Sequence, residues 1–556
     1  MANSFDRRTF LSYGARLGVG AGALGGASGL LAACGGGAST SSSSLPGENA
    51  SGISNATPKP GGSLNVGVES EVNGFNPQSA RFDPGGILYA RTVFDPLAAY
   101  DLNGNVQPYL AQSITHNADY TQWTVTLRSG IKFHDGTALD ANALKMNLDG
   151  LISSPLTGPA LSNVKSTALS GPLSVTLSMY EPWVPFPVYL TGQLGFVAAP
   201  SMLNNPSGTN QPVGTGPFVF KEWVPNDHFT ATKNPNYWRP GLPYLDQITF
   251  HPIPENSSRD NALLSGTMDL IHSSDPDTLV ATRSRPGFAV ITDANNTVGQ
   301  PDMDFVMLNC AVAPTSNLKV RRALAYATNQ QALINALADG LLQPSTGPFP
   351  PGNIYHDTTG YPSYDPAQAR QLVQQAEREL GGPISFELGT TNSSKSLQSI
   401  QLLQGMWQDV GIKTTLRQFE QTQFIANALV GHYQAYTWRQ FAAPDPDINY
   451  VWWSISNAKP VGTSALNFAR NKDQQVQAAL DTGRTHTDQA VRIQAYKTVA
   501  CRFGADCPYI WNDKTMWTVA ARRGVENFNA GTTPSGVRLL PMTGGMFWLT
   551  QIWLSR

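Results

Sequence analysis

From residue 64 onward, apolar side chains recur along the chain with two different spacings. Stretches in which they alternate with polar residues, or run together briefly, predict β-strands at residues 64–68, 123–127, 173–179, 246–253, 303–308, 384–388 and 412–419. Stretches in which they return every third or fourth position predict helices at residues 87–97, 139–151, 317–327, 366–380 and 397–410. The mixture indicates an α/β protein.

Turn-forming and helix-capping residues refine this pattern. Residues 218–223 and 228–233 are two β-rich runs joined by Pro225-Asn226-Asp227, which predicts a hairpin. Polar residues that commonly cap helices predict three helix starts, at Ser257 with Asp260, Thr328 with Gln331, and Asp365 with Pro366. Glycines that follow the helical stretches predict their ends near Gly266, Gly340 and Gly381.

In the C-terminal half, strands and helices alternate, which predicts a largely parallel sheet with right-handed crossovers. Ligands in such sheets lie beyond the carboxyl ends of the strands. We therefore expect Thr390, Thr391 and Asn392 to line a ligand cleft, together with the segment that follows residues 433–438.

The first residues have the pattern of an export signal. Arg7 and Arg8 precede Thr9-Phe10-Leu11, as in twin-arginine signals, and a Gly/Ala-rich apolar stretch follows. Leu31-Ala32-Ala33-Cys34 matches a lipobox, which predicts lipidation of Cys34; an ordinary cleaved signal with an incidental cysteine is the alternative. Residues 1–33 are thus a predicted lipoprotein signal peptide, and residues 34–57 a flexible tether.

Composition excludes several classes of function. A length of 556 residues requires more than one domain, and a net charge of −2 without a basic cluster argues against a nucleic-acid partner. We find no nucleophile elbow, zinc-protease motif or phosphate loop, and the eight histidines are scattered. The sequence therefore predicts a protein that is not an enzyme and has no metal and no cofactor.

The sequence predicts different states for the three remaining cysteines. Cys501 and Cys507 are close in a chain that is expected to be exported, so they either form a small-loop disulfide or stay free. Cys310 lies in an apolar run and is expected to be a buried free thiol.

Two stretches carry a family resemblance. One runs from Val213 to Ile271 and includes VGTGPF and NPNYWRPG. In the other, WTVTLRSGIKF ends at Phe133 and is followed by the turn His134-Asp135-Gly136. Both resemble the family 5 extracellular solute-binding proteins, the lipid-anchored ligand-capturing subunits of ABC importers for peptides, nickel or haem.

The resemblance implies a two-lobed periplasmic-binding-protein-like fold (type II, cluster C) with an extra subdomain in the first lobe. It implies lobe I from residues 58–100, 213–302 and 520–556, the extra subdomain from 101–212, lobe II from 303–519, and a hinge near 303–310. It also implies a monomer at the outer face of the cytoplasmic membrane, with an ABC permease and its ATPase subunits as partners. A sensor or cell-envelope regulator with the same fold is the alternative.

The resemblance also directs attention to particular residues. Phe82, Asp83, Pro84 and Gly85 correspond to residues that reach into the cleft, or form an ordinary surface loop. The segment from Trp438 to Trp453 should hold specificity: Trp438, Phe441, Tyr450 and Trp452 as stacking surfaces, and Asp445 and Asp447 as cation partners or caps.

The charges that peptide-binding relatives use are missing at two positions. Phe441, or Ala442, stands where an Asp pairs with the ligand's ammonium, and Lys395 is the nearest cation to the position of an Arg near Thr390. Because an unpaired charge is costly to bury, free dipeptides are poor candidate ligands. A longer or capped peptide, haem or another flat metal complex, and an oligosaccharide remain open.

Overall fold

The computed structural model describes residues 56–293, 298, 302–357, 360–440 and 443–556, and its strands follow the alternating apolar stretches. The strands are β1 Ser63–Val68, β2 Ala98–Tyr100, β3 Val106–Pro108, β4 Ala111–His116, β5 Gln122–Leu127, β6 Val164–Gly171, β7 Ser174–Met179, β8 Phe218–Val224, β9 His228–Lys233, β10 Gln247–Pro252, β11 Leu270–Ser273, β12 Phe288–Thr292, β13 Met303–Leu308, β14 Gln343–Pro344, β15 Ser385–Thr391, β16 Lys413–Phe419, β17 Ala435–Arg439, β18 Tyr509–Lys514, β19 Thr518–Arg522, β20 Val525–Glu526, β21 Met542–Thr543, β22 Met546–Phe547 and β23 Trp553–Leu554.

The α-helices follow the three-to-four periodicity. They are α1 Pro84–Val93, α2 Ala141–Ser153, α3 Pro200–Leu203, α4 Asn256–Ser265, α5 Pro276–Thr282, α6 Leu318–Ala327, α7 Gln330–Ala338, α8 Pro366–Leu380, α9 Ser394–Gln408, α10 Gln421–Val430, α11 Tyr450–Trp453, α12 Gln474–Thr485 and α13 Gln489–Asp506. Within the described residues, no helix is long and apolar enough to span a membrane.

A seven-stranded sheet with the order β12-β19-β11-β1-β10-β9-β8 forms the centre of the first lobe. Strand β1 lies parallel to β10 and β11, and the other pairs are antiparallel. The predicted hairpin is confirmed as β8 and β9, with Phe218 opposite Lys233. Leu64, Val66 and Phe250 are fully buried in the core beneath this sheet.

A six-stranded sheet with the order β14-β18-β13-β17-β15-β16 forms the second lobe. Strand β15 is parallel to β16 and β17, but β13 is antiparallel to β17 and β18, and β14 is antiparallel to β18. The prediction of a largely parallel sheet is therefore wrong. Strands β15, β16, β17 and β18 run in one direction, whereas β14 and β13, which the chain enters from the first lobe, run in the opposite direction.

The extra subdomain contains a four-stranded antiparallel sheet with the order β4-β5-β7-β6. Helix α2 packs on it, and Trp123, Val125 and Leu127 of β5 point into the buried core. Gly136, in the predicted turn after this sheet, has φ of +86°, a conformation that a glycine adopts without strain.

The chain passes between the two large sheets twice, once between β12 and β13 and once between β18 and β19, and we call the described residues Asp293, Asp302 and 515–517 of these connections the crossing segments. The hinge was expected near residues 303–310, but residues 303–308 form β13 inside the second sheet. Thr518 and Val519 pair within the first sheet, so the expected end of lobe II at residue 519 is two residues too late.

Two predicted caps are wrong by one or two residues. Helix α4 begins after Glu255 rather than at Ser257, and Asn329, whose side chain accepts from the backbone N–H of Ala332, caps α7 in place of Thr328. Helix α1 begins at Pro84, earlier than predicted, because Asp83 accepts from the N–H of Gly86. The cap at Asp365 is confirmed.

Cys501 and Cys507 are both free, which corrects the possible disulfide. Cys501 lies within α13, whereas Cys507 is buried beyond its end, with φ of +47° and its thiol donating to the carbonyl oxygen of Gly504. Cys310 is free and half-buried, and burial raises the pKa of its thiol to about 11.

Candidate ligand-binding cleft

The two lobes face each other across an ion pair at the ends of two strands. Glu69 follows β1 in the first lobe and Arg439 ends β17 in the second; Arg439 Nη2 donates to Glu69 Oε1 at 2.8 Å. The guanidinium also lies 4.8 Å from the centre of the Trp517 ring, which belongs to a crossing segment. This contact therefore joins both lobes and the connection between them.

The environment of Glu69 fixes its charge. Burial alone would raise its pKa, but the nearby positive charges, Arg439 first among them, and the hydrogen bond from Arg439 together outweigh burial, and the pKa of Glu69 falls to about 2. Burial lowers the pKa of the neighbouring His272 to about 4, and His272 Nε2 accepts from the backbone N–H of Glu69. At neutral pH the pair is an anion and a cation next to an uncharged imidazole.

A second set of contacts, the rim contacts, lies where α9 of the second lobe meets α4 and α5 of the first. Lys395 Nζ lies 2.9 Å from Asp277 and 3.5 Å from Asp275, and the Ser394 hydroxyl donates to Glu255 at 3.0 Å. Lys395, the cation that the sequence offered for a ligand carboxylate, is therefore already paired across the cleft.

The crossing segments bond to each other. The backbone N–H of Trp517 donates to Asp293 Oδ1 at 2.8 Å, and the Trp517 indole N–H donates to Asp302. The backbone N–H of Thr515 donates to the carbonyl oxygen of Asp302 at 2.8 Å. Because these segments connect the two lobes, a rotation of one lobe relative to the other bends the chain at this point.

Carboxyl groups gather beside the crossing. Asp304 of β13 lies directly opposite both Asp513 of β18 and Arg439 of β17. Burial raises the pKa of Asp302 and of Asp304 to about 6, and burial with repulsion from Asp304 raises the pKa of Asp513. Asp293 is also buried, and its pKa rises to about 7. The crossing therefore holds carboxyls that resist ionisation.

One face of the second sheet forms an aromatic pocket. Phe305 of β13 lies between Trp438 of β17 and Trp511 of β18 in the register of the sheet. The lining residues are Phe305, Met307, Trp438, Arg439, Gln440, Asn449, Trp452, Trp453, Leu466, Phe468, Tyr509 and Trp511. They surround about 360 Å³ of space, part of it open to solvent. Because Arg439 also reaches Glu69, the pocket adjoins the interlobe cleft.

Trp438 and Trp452, both predicted as stacking surfaces, meet in this pocket. Trp438 stacks on Phe424 at 5.3 Å between ring centres and lies edge-on to Phe468 at 5.2 Å. Trp452 packs on the same Phe468 at 5.2 Å. Tyr450 is not in the pocket: its hydroxyl donates to Asp481 at 2.8 Å.

A third contact, the buried clamp, joins the extra subdomain to the second lobe. Asp447 is fully buried and accepts from Arg484 Nε at 3.0 Å and from the Trp183 indole N–H at 2.9 Å. The Tyr189 hydroxyl donates to the backbone carbonyl of Asp447 at 2.5 Å. The Arg484 guanidinium lies 3.5 Å from the centre of the Tyr450 ring. Tyr450 therefore supports the clamp.

Both acidic residues expected as ligand partners are paired within the protein. Asp445 accepts from Arg492 Nη2 through both of its oxygens at 2.8 Å and caps a 3-10 helix by accepting from the N–H of Asp447. Asp447 holds Arg484. Their capping and structural roles, which the sequence left open, are those that the structure shows.

The other predicted site residues are spread around the cleft. Phe82 packs on Phe196 in the core of the first lobe, Asp83 caps α1, and a side chain on Gly85 would collide with the Ser70 hydroxyl at 2.5 Å. Thr391 ends β15 with its hydroxyl 3.2 Å from that of Ser396, and Asn392 donates to Glu420 at 2.9 Å. Arg7, Arg8, Cys34 and Phe441 lie outside the described residues.

Several residues of the site were missed from the sequence. Glu69 had a usable signal, because an acidic residue directly follows the short apolar strand β1. Arg439 had a similar signal, because a charged residue stands at the end of the strand, directly after Trp438. Arg484 and Asn449 had none, since each acquires its role only from the packing of distant segments.

Within the described residues, no group of three or more histidine, cysteine or acidic side chains is placed to hold a metal ion. The cleft presents aromatic surfaces, amides and ion pairs to a guest.

Comparison with known proteins gives a consistent result. Residues 105–460 match the sequence profile "Bacterial extracellular solute-binding proteins, family 5 Middle". The glutathione-binding protein GsiB of Salmonella paratyphi A is 27% identical over 504 residues, which cover 87% of this chain and 93% of that protein. The nickel-binding periplasmic protein of Escherichia coli is 31% identical over 394 residues, 66% of this chain and 73% of that protein.

The fold is also that of a solved binding protein. The periplasmic binding protein DppA of Helicobacter pylori, an ABC-transporter-associated protein in complex with the peptide STSA, superimposes with a TM-score of 0.78 at 21% identity. The match covers 90% of this chain and 99% of that one.

Proposed function

Because the chain belongs to the bacterial extracellular solute-binding proteins of family 5, the binding components of ABC importers, we propose that it captures a peptide between its two lobes and delivers it unaltered to a membrane permease. The observation that carries the proposal is the Glu69–Arg439 pair. It places a charged contact between the two sheets, beside the crossing segments that connect them.

The mechanism follows from how weakly the lobes are held at the rim. Lys395 and Asp277 are both solvent-accessible, and exposed ion pairs contribute about 0–1 kcal/mol each. Small contacts of this kind let the lobes part and close at little cost, so a guest that touches both lobes decides which state is populated. A closed surface is then what the permease and its ATPase subunits recognise.

The chemical class of the ligand follows from the charged side chains that already form ion pairs within the protein. Lys395, Asp445 and Asp447 all have partners inside the protein. The two charged ends of a free dipeptide would have to displace these partners or remain unpaired, which costs several kcal/mol. A capped peptide has no terminal charges to pair, and a longer peptide has more backbone groups that can bond to exposed strand edges. The tetrapeptide in the Helicobacter DppA complex has such a length.

We further propose that the N-terminus exports and anchors this chain, with Arg7 and Arg8 directing export and Cys34 carrying two acyl chains. Two chains hold a protein at a membrane far longer than one, because each buried methylene contributes about 0.8 kcal/mol. Cys34→Ser should move the protein from the membrane fraction to the soluble fraction while its thermal unfolding is unchanged. Equal membrane retention of both forms would refute the anchor.

Native mass spectrometry of protein purified without refolding tests the main proposal. We expect an adduct with the mass of a peptide, lost on unfolding and regained with the extracted peptide fraction. A chain that emerges without any guest and binds none from a peptide library by calorimetry would contradict the proposal. A product of altered mass would show an enzyme instead.

A further inference from the structure

The aromatic pocket contains polar atoms that the protein itself does not use. Asn449 is fully buried, and neither its amide nitrogen nor its amide oxygen has a hydrogen-bond partner among the described residues. The indole N–H of Trp511, also fully buried, has none within the described part of the chain. A buried polar group without a hydrogen-bond partner is unfavourable, so the pocket holds several groups that favour an incoming partner.

These atoms offer both kinds of hydrogen bond. The Asn449 amide nitrogen and the Trp511 indole nitrogen donate, and the Asn449 amide oxygen accepts. Gln440 adds a second acceptor, since its Nε2 donates to the backbone of Pro348 while its Oε1 has no partner among the described residues. A guest group with one hydrogen-bond donor and one acceptor on the same edge would pair with both the acceptors and the donors of the pocket.

The walls restrict that group to a flat, uncharged one. Rings form most of the lining, and Phe305, Trp438 and Trp511 lie side by side across three neighbouring strands. Arg439 is the charged residue of the lining, and Glu69 already pairs with it. A free charge would therefore enter the pocket without a counterion, whereas a planar group can stack.

The pocket opens toward the rest of the cleft. The roughly 360 Å³ between its lining residues includes space that is open to solvent, so the pocket is a partly open recess rather than an enclosed cavity. The opening adjoins Arg439, and thus the cleft between the lobes. One planar side chain can enter while the rest of the guest stays in the cleft.

We propose that the aromatic pocket is a specificity subsite for a planar, uncharged ring or amide group with a hydrogen-bond donor and acceptor on its edge. Asn449 and Trp511 read that edge, and Trp438 and Trp452 cover its faces. The assignment rests on the proposed function for the remainder of the guest, and it names the side-chain class that the protein selects.

Benzamide is a suitable probe, because it is flat, uncharged and carries an amide edge. Toluene lacks the hydrogen bonds and benzoate adds a charge, so the three compounds separate shape from polarity. Binding to the full chain is followed by saturation-transfer NMR and tryptophan fluorescence. We expect benzamide to bind about five- to tenfold more tightly than either control compound.

Two variants connect the binding to the pocket. Asn449→Leu should reduce the affinity for benzamide to that for toluene, and Trp511→Phe should reduce it about fivefold. Trp553→Phe is the matched control, because Trp553 is equally buried in the first lobe, its indole N–H also lacks a partner among the described residues, and it is not in the pocket. Circular dichroism verifies that each variant is folded; if Asn449→Leu fails to fold, Trp511→Phe decides.

Equal binding of benzamide and toluene would overturn the proposal, as would loss of affinity in Trp553→Phe of the same size as in Trp511→Phe. A soaked crystal that shows only water on Asn449 and Trp511 would overturn it too. Failure of the proposed function is a separate result. A chain can retain a peptide and reject benzamide, which refutes the subsite alone, or bind benzamide and retain no guest, which refutes the transport role alone.

Discussion

The rim contacts and the buried clamp both join the second lobe to the rest of the molecule, but they differ in burial. At the rim, the side chains of Lys395 and Asp277 are 29% and 56% exposed. In the clamp, those of Arg484 and Asp447 are 7% and 0% exposed, and aromatic rings surround them. Water can replace the partners of the rim ions, whereas opening the clamp would strand a buried charge.

The difference indicates which side of the cleft moves. A contact that water can replace opens and closes freely, and a buried ion pair does not. We therefore expect the lobes to part first at the rim, while the clamp and the crossing segments remain joined. The aromatic pocket is lined by Arg439 of the interlobe pair, so closure of the lobes can cover a guest there.

Breaking the clamp should have the largest effect. Asp447→Ala leaves Arg484 buried without its carboxylate and should lower the free energy of unfolding by about 3–5 kcal/mol, measured by urea denaturation. Asp277→Ala at the rim is the control and should change it by less than about 1 kcal/mol. Similar losses in both variants would remove the distinction between the two contacts.

Trp438 extends the comparison of the rim with the clamp to the aromatic pocket, which it lines next to Arg439. Trp438→Ala should weaken guest binding by about 1–3 kcal/mol in calorimetry, since it removes a stacking surface of the pocket. Trp223→Ala is a matched control, since Trp223 is also half-buried but lies in the first lobe, where its indole donates to Glu71. Unchanged affinity in Trp438→Ala would exclude Trp438 from the site.

The crossing segments predict a pH dependence. The pKa of Asp293 rises from 3.8 unfolded to about 7 folded, so the folded state holds this proton more tightly. That stabilisation is complete below pH 3.8 and is lost as the pH rises through 7. Asp293→Asn avoids ionisation, so its stability relative to wild type should increase by about 4 kcal/mol from pH 4 to pH 8 in urea unfolding.

Asp339→Asn is the control for this pH profile, because Asp339 is exposed and has φ of +49°, where Asn is equally tolerated. Its stability relative to wild type should be the same at both pH values. A flat difference for Asp293→Asn would show that the carboxyl ionises freely in the crossing.

The smallest expected effect is at the rim. Lys395→Ala removes an accessible ion pair and should change the free energy of unfolding by less than about 1 kcal/mol. The effect should shrink further in 1 M salt, where the screening length is about 3 Å. A large, salt-independent loss would mean that the rim is as rigid as the clamp.

The sequence predicted the parts of the fold that local pattern determines. The alternation of Trp123, Val125 and Leu127 gave β5, and the Pro225-Asn226-Asp227 connection gave the hairpin of β8 and β9. The direction of β13 could not be read locally, because the chain enters this strand from the first lobe. The family resemblance, rather than periodicity, indicated the two lobes.

The candidate site also has residues that the sequence predicted and residues whose role it did not reveal. Trp438 and Trp452 were predicted because the family resemblance placed specificity in their segment, and the structure brings both into one pocket. Asp447 was considered for the ligand, yet Arg484, in helix α12, pairs with it. Periodicity finds the buried face of a helix, but it does not reveal which buried charge will meet another.

The most direct test of the central claim is hydrogen–deuterium exchange with and without the peptide identified by native mass spectrometry. A guest held between the lobes should slow exchange at the end of β1 near Glu69 and at the end of β17 near Arg439, while the clamp residues around Trp183 stay unchanged. Slower exchange in only one lobe would contradict a guest enclosed between the two.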